Sequence, residues 1–321
     1  MRTTPESPDL THPHSTRRVP HRQPLRWEWP TLALFLACVA VLVLGVTVVP
    51  QVSVLLAIGV TAFALTLHSS LTHEICHGHP FPSRRASEAL VWINPGLLVP
   101  YLRFRDTHLA HHQDAQLTDP YDDPETNYLD PAAWDRMPTW LQAVRRLNNT
   151  LAGRMAIGPI VGQLVFMAGD WKAMRAGDRQ VMAGWLWHIP GAAACLWLVS
   201  ISPMPVWAYL VACYLALSIL KIRTFLEHQA HEKARGRTVV IEDRGVLAFL
   251  FLNNNFHVVH HMHPRVAWYR LPSLYRTNRE RYLSRNDGYV YRSYGDIFRR
   301  YFWRSKDPVP HPLWRPEGDA G

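Results

Sequence analysis

The chain has 321 residues, 48% of them hydrophobic, with a formal charge of +9. Its four cysteines include no CxxC pair, so they offer neither an iron–sulfur pattern nor a disulfide framework. No RNA- or DNA-binding motif accompanies the positive charge, which is therefore assigned to a membrane surface rather than to nucleic acid.

Residues 1–28 are polar and rich in Pro and Arg, and are expected to be disordered. They do not read as a secretory signal, because the following apolar run is long and has no small-residue cleavage site. A helix that spans a bilayer needs about 20 mostly apolar residues. Four stretches qualify: 29–49, 51–70, 181–201 and 205–220. Short uncharged turns join the first to the second and the third to the fourth, which predicts two helical hairpins. Arg17, Arg18, Arg22 and Arg26 precede the first hairpin, and Lys221 and Arg223 follow the second. By the positive-inside rule both termini and both long polar segments are cytoplasmic, at the inner membrane if the source is bacterial. Trp27, Trp29, Trp185, Trp187 and Trp207 fall at span ends, as interface anchors do. Two shorter apolar stretches, Ala89 to Tyr101 and Met155 to Ala168, are interrupted by Pro and Gly and read as interfacial or partly re-entrant. The domain is expected over residues 29–306, with a disordered Pro-rich tail over 307–321. The fold class is an all-α integral membrane protein, with four transmembrane helices as two hairpins and a cytosolic helical cap.

The placement of the 18 histidines is the main chemical signal. His73 and His77 follow the second span in HEICH. His108, His111 and His112 form HLAHH, and His257, His260 and His261 form HVVHH. On a helix, positions i, i+3 and i+4 share a face, so each cluster aims two or three imidazoles at a common region. Eight nitrogens exceed the four ligands of a tetrahedral zinc site and suit two iron ions with open positions. A lone HxxxH is often only a polar helix face; three clusters on one side of a membrane are not.

These motifs, their order and their placement around two hairpins resemble the three histidine boxes of the membrane fatty acid desaturases, over roughly residues 30–285. The resemblance implies two iron ions, O2 as co-substrate and a lipid substrate. It also implies a ninth ligand from the segment after the last span, where His228 in Glu227-His228 is the first candidate and His231 the second. Imidazole ligands need hydrogen-bond acceptors behind them. Glu74, Glu227 and Asn255 are candidates, with His79 and His231 as further polar neighbours, against the ordinary reading of capping and solvation. His68 could hydrogen-bond a ligand, His188 reads as interfacial, and His263 could line the site. The acidic turn from Asp119 to Glu125 could pair with the basic surface of 265–306, a solvated cap that would also suit an acidic electron carrier. No flavin, ferredoxin or haem segment is present, so an external donor is implied, a ferredoxin or a cytochrome b5-type protein with its reductase.

The expected activity is insertion of a double bond into a lipid acyl chain by an O2-dependent oxidoreductase. The alternative on the same scaffold is a lipid or carotenoid hydroxylase or ketolase. Two rivals from other classes stand further off. His73-Glu74-x-x-His77 fits the HExxH helix of a zinc protease, which would leave both HxxHH boxes unused. A metal transporter would place ionisable ligands inside the spans, which hold almost none.

Overall fold

A computed structural model describes residues 27–315, and these are mostly helical. Among the described residues, four helices are long and apolar enough to cross a membrane. They are α1 (Trp29–Thr47), α2 (Val54–Cys76), α9 (Arg179–Ser200) and α10 (Val206–Thr224). Ser53 caps α2 by accepting from Leu56 N at 3.2 Å, and Asp178 caps α9 by accepting from Gln180 N and Val181 N. α2 is the central helix, packed against α1 on one side and α10 on another. The outer faces expose large apolar side chains, among them Leu36, Leu44, Leu186, Trp187, Trp197 and Trp207. Water does not tolerate a continuous apolar surface of this kind; a bilayer does.

α2 runs into the first histidine cluster and ends at Cys76, so His73 lies on the spanning helix itself and His77 is its C-cap. At 23 residues the helix is about 34 Å long, enough to cross the roughly 30 Å hydrocarbon layer and still present a polar last turn.

Between the second and third long helices lie α3 (Arg84–Ala89), α4 (Tyr101–His111), α5 (Pro131–Asp135), α6 (Thr139–Asn148), α7 (Leu151–Ala156) and α8 (Gly158–Arg175). The stretch before α4 is non-helical and reaches deep: Tyr209 of α10 donates to Pro95 O at 2.6 Å, and Leu97 packs against the core shared by α2 and α10. His188 meets Leu97 O at 2.7 Å. It sits well inside α9, 6% exposed, and the interfacial reading of it is corrected. The stretch from Met155 to Ala168 is not one short segment. It breaks at Ile157, and α8 then continues for 18 residues. Asp170 of α8 ties three helices: it accepts two bonds from Arg103 of α4, at 2.8 and 2.9 Å, and one from Trp185 of α9 at 2.8 Å. That buried carboxylate fixes α4, which carries the second histidine cluster.

After α10 the backbone is extended. His228 pairs with Thr238 in an isolated bridge, and β1 (Val240–Ile241) pairs in parallel with β2 (Val290–Tyr291). Val258 N donates to Val239 O at 3.1 Å, which docks the start of α12 (His257–Met262) on this strand. α11 (Val246–Leu250), α13 (Leu271–Thr277), α14 (Arg279–Arg285) and α15 (Tyr294–Tyr301) complete the polar layer.

The expected tails are corrected where they are described. Glu28 N donates to Pro80 O at 2.9 Å, so the start of α1 is anchored. Residues 307–315 are packed, not free: Val309 is buried, Leu129 N donates to Val309 O, and His311 N donates to Leu129 O. The rest of both tails, residues 1–26 and 316–321, lies outside the described residues.

Gly153 is where α7 passes closest to the chain before it. A Cβ there would stand 1.9 Å from Leu147 O, a backbone atom that cannot swing away. Gly153→Ala is expected to cost about 3 kcal/mol, read as a lowered unfolding midpoint of the detergent-solubilised protein. Gly59→Ala, with nothing within 4 Å of the added carbon, is its control.

Candidate metal centre

Nine histidines converge in two groups, and in each group the candidate ligand atoms lie within 4.8 Å of one another. The first holds His73 and His77 from the end of α2, His108 and His112 from α4, and His260 from α12. The second holds His111 from α4, His228 from the extended segment, and His257 and His261 from α12. Successive residues on a helix diverge by about 100°, whereas i and i+4 nearly eclipse. An HxxHH box must therefore feed two points. Box two sends its i, i+4 pair to the first group and its middle histidine to the second; box three does the reverse. α4 and α12 each straddle both groups.

The ring nitrogens stand close. His77 Nε2 is 3.0 Å from His108 Nε2, and His108 Nε2 is 3.0 Å from His112 Nε2. His260 and His112 are 3.2 Å apart. In the second group His111 is 2.9 Å, and His257 3.1 Å, from His228 Nε2. Two nitrogens bound at about 2.1 Å to one ion lie about 3.0 Å apart when their bonds are perpendicular and about 3.4 Å apart in a tetrahedron. The observed spacings match perpendicular bonds, and five donors in one group are too many for a tetrahedron. His73 Nε2 is buried with no hydrogen-bond partner. Burial, reinforced by the neighbouring imidazoles, holds His228, His257 and His260 well below the ordinary histidine range, so their nitrogens carry free lone pairs at neutral pH. The residues present thus fit two cations that prefer more than four nitrogen ligands.

The rings are aimed from behind through Nδ1. His111 Nδ1 meets Asp123 Oδ1 at 2.7 Å, His108 Nδ1 meets Glu125 Oε1 at 3.0 Å, and His257 Nδ1 meets Asn254 Oδ1 at 3.2 Å. Asn254 in turn donates to Glu227 Oε1 at 2.9 Å, and Arg223 lies 3.2 Å from the same oxygen. Burial lowers His111, but Glu125 and Asp123 outweigh it and raise this histidine to about 9.

Several expected neighbours stand elsewhere. His231 is outside both groups, near Lys233 and Asp287; α10 ends at Thr224, so the helical spacing that would pair it with His228 does not exist. Asn255 donates to Ile241 O and Asp243 O, a backbone clamp, and its neighbour Asn254 reaches the ring instead. Glu74 accepts from Trp268 N at 2.8 Å, so its carboxylate is committed to the polar layer and not to the base role of a protease. His79 is held by Glu28 at 2.5 Å and lies 3.7 Å from Glu74. His68 contacts Thr72, not a ligand, and His263 packs on the Tyr282 ring. Two acids of the acidic turn, Asp123 and Glu125, point at His111 and His108 rather than at the basic surface. The signal was present, since histidine ligands call for acceptors and this turn follows box two directly.

The sequence matches the fatty acid desaturase family over residues 47–293, and the chain belongs to that family. It is also similar to two β-carotene ketolases from different Paracoccus strains. One is 25% identical over 213 residues, 63% of this chain and 71% of the relative. The other is 26% identical over 238 residues, 71% and 81%. Family and relatives together support an oxygen-dependent oxidoreductase of lipids or carotenoids.

Asp123→Asn removes the charge behind His111 and should weaken metal retention by about 10- to 100-fold, measured as metal per chain during a chelator titration. Asp287→Asn, beside His231, should leave the same titration unchanged.

Proposed function

We propose that the protein is a membrane di-iron enzyme that uses O2 to oxidise an unactivated C–H bond of a membrane-dissolved lipid, with formation of an acyl-chain double bond as the first reading. The observation that carries it is the pair of buried histidine groups with perpendicular nitrogen spacing at the end of an apolar span. The nine ligands would be His73, His77, His108, His112 and His260 for one ion, and His111, His228, His257 and His261 for the other. Bound iron would bind O2 and, with electrons from the external donor, turn it into the oxidant of the hydrocarbon.

The chain's own residues set the conditions. Nε2 faces inward because Nδ1–H donates outward to Asp123, Glu125 and Asn254. Because α2 delivers His73 and His77 directly from the hydrocarbon layer, an apolar chain would reach the centre without crossing water. Positive charge at Lys221 and Arg223 favours a cytoplasmic polar layer. Exposed Arg265, Arg270, Arg276, Arg279 and Arg281 on that layer favour an acidic electron donor. A second reading, insertion of oxygen into a carotenoid ring, is favoured by the likeness to the two ketolases.

The test is expression in a bacterial membrane, with and without β-carotene, followed by mass spectrometry of total lipid. An acyl chain lighter by two hydrogens, lost in His260→Ala, supports the first reading. A carotenoid in which a CH2 has become a carbonyl supports the second. Zinc in place of iron, with no lipid product, overturns both. On the same preparations His228→Ala should lose metal from the four-histidine group, whereas His231→Ala should keep the wild-type content.

A further inference from the structure

Three cations converge where α6, α7, α8 and α10 meet, and among the described residues none of them has an acid within ion-pair distance. Arg145 lies in the last turn of α6, Arg154 in α7 and Lys221 in the last turn of α10. Arg154 is turned inward and only 4% exposed. Its Nε donates to Asn148 O at 2.8 Å and its guanidinium lies over the Phe225 ring at 5.9 Å, but no carboxylate faces it. Burial, with Arg145 adding to it, pushes Arg154 down to about 10. Arg145 Nε and Asn148 Oδ1 are both buried without a partner. The Lys221 ammonium reaches toward α8, where a Cβ on Gly162 would stand 3.0 Å from it; a Cβ on Gly158 would stand 3.1 Å from Arg154 Cδ. Two glycines one helical turn apart thus leave room for the two cationic side chains. The carboxylates whose charge reaches Lys221, Glu125 and Glu227, are engaged by His108 and by Asn254 with Arg223.

A lysine at the end of a spanning helix ordinarily runs its stem along lipid and leaves its head in water. That reading accounts for Lys221 alone. It does not account for a buried guanidinium beside it with no acid, an arrangement that is costly unless an anion arrives from outside the chain. The depth identifies the source. Lys221 lies in the last turn of α10, and Ser218 just before it donates to Met155 O, so the end of α7 packed there lies near the level where hydrocarbon gives way to headgroups. Val165 and Gly169 continue the glycine flank of α8 and are exposed, which gives an acyl chain a course away from the cations.

We propose that Arg145, Arg154 and Lys221 form a binding site for the phosphate of an anionic phospholipid, whose acyl chains lie along α8. Guanidinium and ammonium donors together match phosphate oxygens. The site is separate from the histidine groups and does not depend on their metal or reaction.

The test uses the full chain in detergent, with thermal unfolding followed as phosphatidylglycerol, phosphatidylcholine or inorganic phosphate is added, and with mass spectrometry of lipids that co-purify. Phosphatidylglycerol should co-purify and stabilise at lower concentration than phosphatidylcholine. Lys221→Gln and Arg154→Gln should each weaken the effect by about tenfold. Gly162→Leu should abolish it by filling the space beside the ammonium, and keeps the proposal testable should Arg154→Gln fail to fold. Equal stabilisation by the two phospholipids, or variants that respond as wild type does, would overturn the site. Inorganic phosphate matching phosphatidylglycerol would overturn its assignment to a lipid.

Discussion

Imidazole nitrogens brought to about 3 Å of one another and buried cannot all be protonated, and as neutral bases they repel through their lone pairs. Five such rings in one group and four in another therefore call for a positive charge at each focus. The rest of the polar layer follows from this requirement. Each Nε2 must face inward, so Nδ1 must find an acceptor outward, and Asp123, Glu125 and Asn254 stand where α4 and α12 require them. The same logic decides where negative charge sits. Two acids that would be costly to bury alone are held by the rings they orient.

Precision in such a site comes from the elements that carry the rings. α2 is locked by its burial between α1 and α10, and so His73 and His77 inherit its position. α4 is only 11 residues long and could not hold its angle unaided. Its bond from Arg103 to Asp170, with Trp185 on the same carboxylate, ties it to α8 and α9. α12 is shorter still, and backbone bonds from Val258 to Val239 and from Ile241 to Asn255 hold it against the strand that presents His228. The ninth histidine is thus set by sheet-like pairing, while the other eight are set by helices.

This difference explains what could be read from the amino-acid order. The four long helices and the three boxes are local patterns: apolar length, and a spacing that works within one helix turn. All nine of the histidines singled out lie in the two groups. What could not be read depended on pairing across distance. His231 looked equivalent to His228 only if the chain stayed helical after α10, and it does not. Asn255 and Asn254 are neighbours with identical chemistry, and only the turn before α12, where Asn253 takes a positive φ of 56°, decides which side chain reaches His257. The acidic turn was visible as charge, but its target depended on the fold of 112–123. The packed tail was hidden for the same reason, because Pro-rich composition says nothing of an edge such as Leu129 that is ready to pair with Val309 and His311.

The non-helical stretch before α4 shows the membrane constraint most directly. Carbonyls at that depth have no water to bond, and an unpaired one is costly. Here Tyr209, His188 and Gln163, from three different helices, supply donors to Pro95, Leu97 and Leu98, and Asn94 closes the turn onto Val99. A loop satisfied by three helices at once cannot move without unpairing all of them. It therefore acts as a fixed wall below the histidine groups, and the shape of any hydrocarbon path beside it is set by α9 and α10 together. On the proposed function, the choice between a double bond and an inserted oxygen would be a question of how the substrate is placed against such walls. It is not a question of the ligand set, which desaturation and oxygen insertion can share.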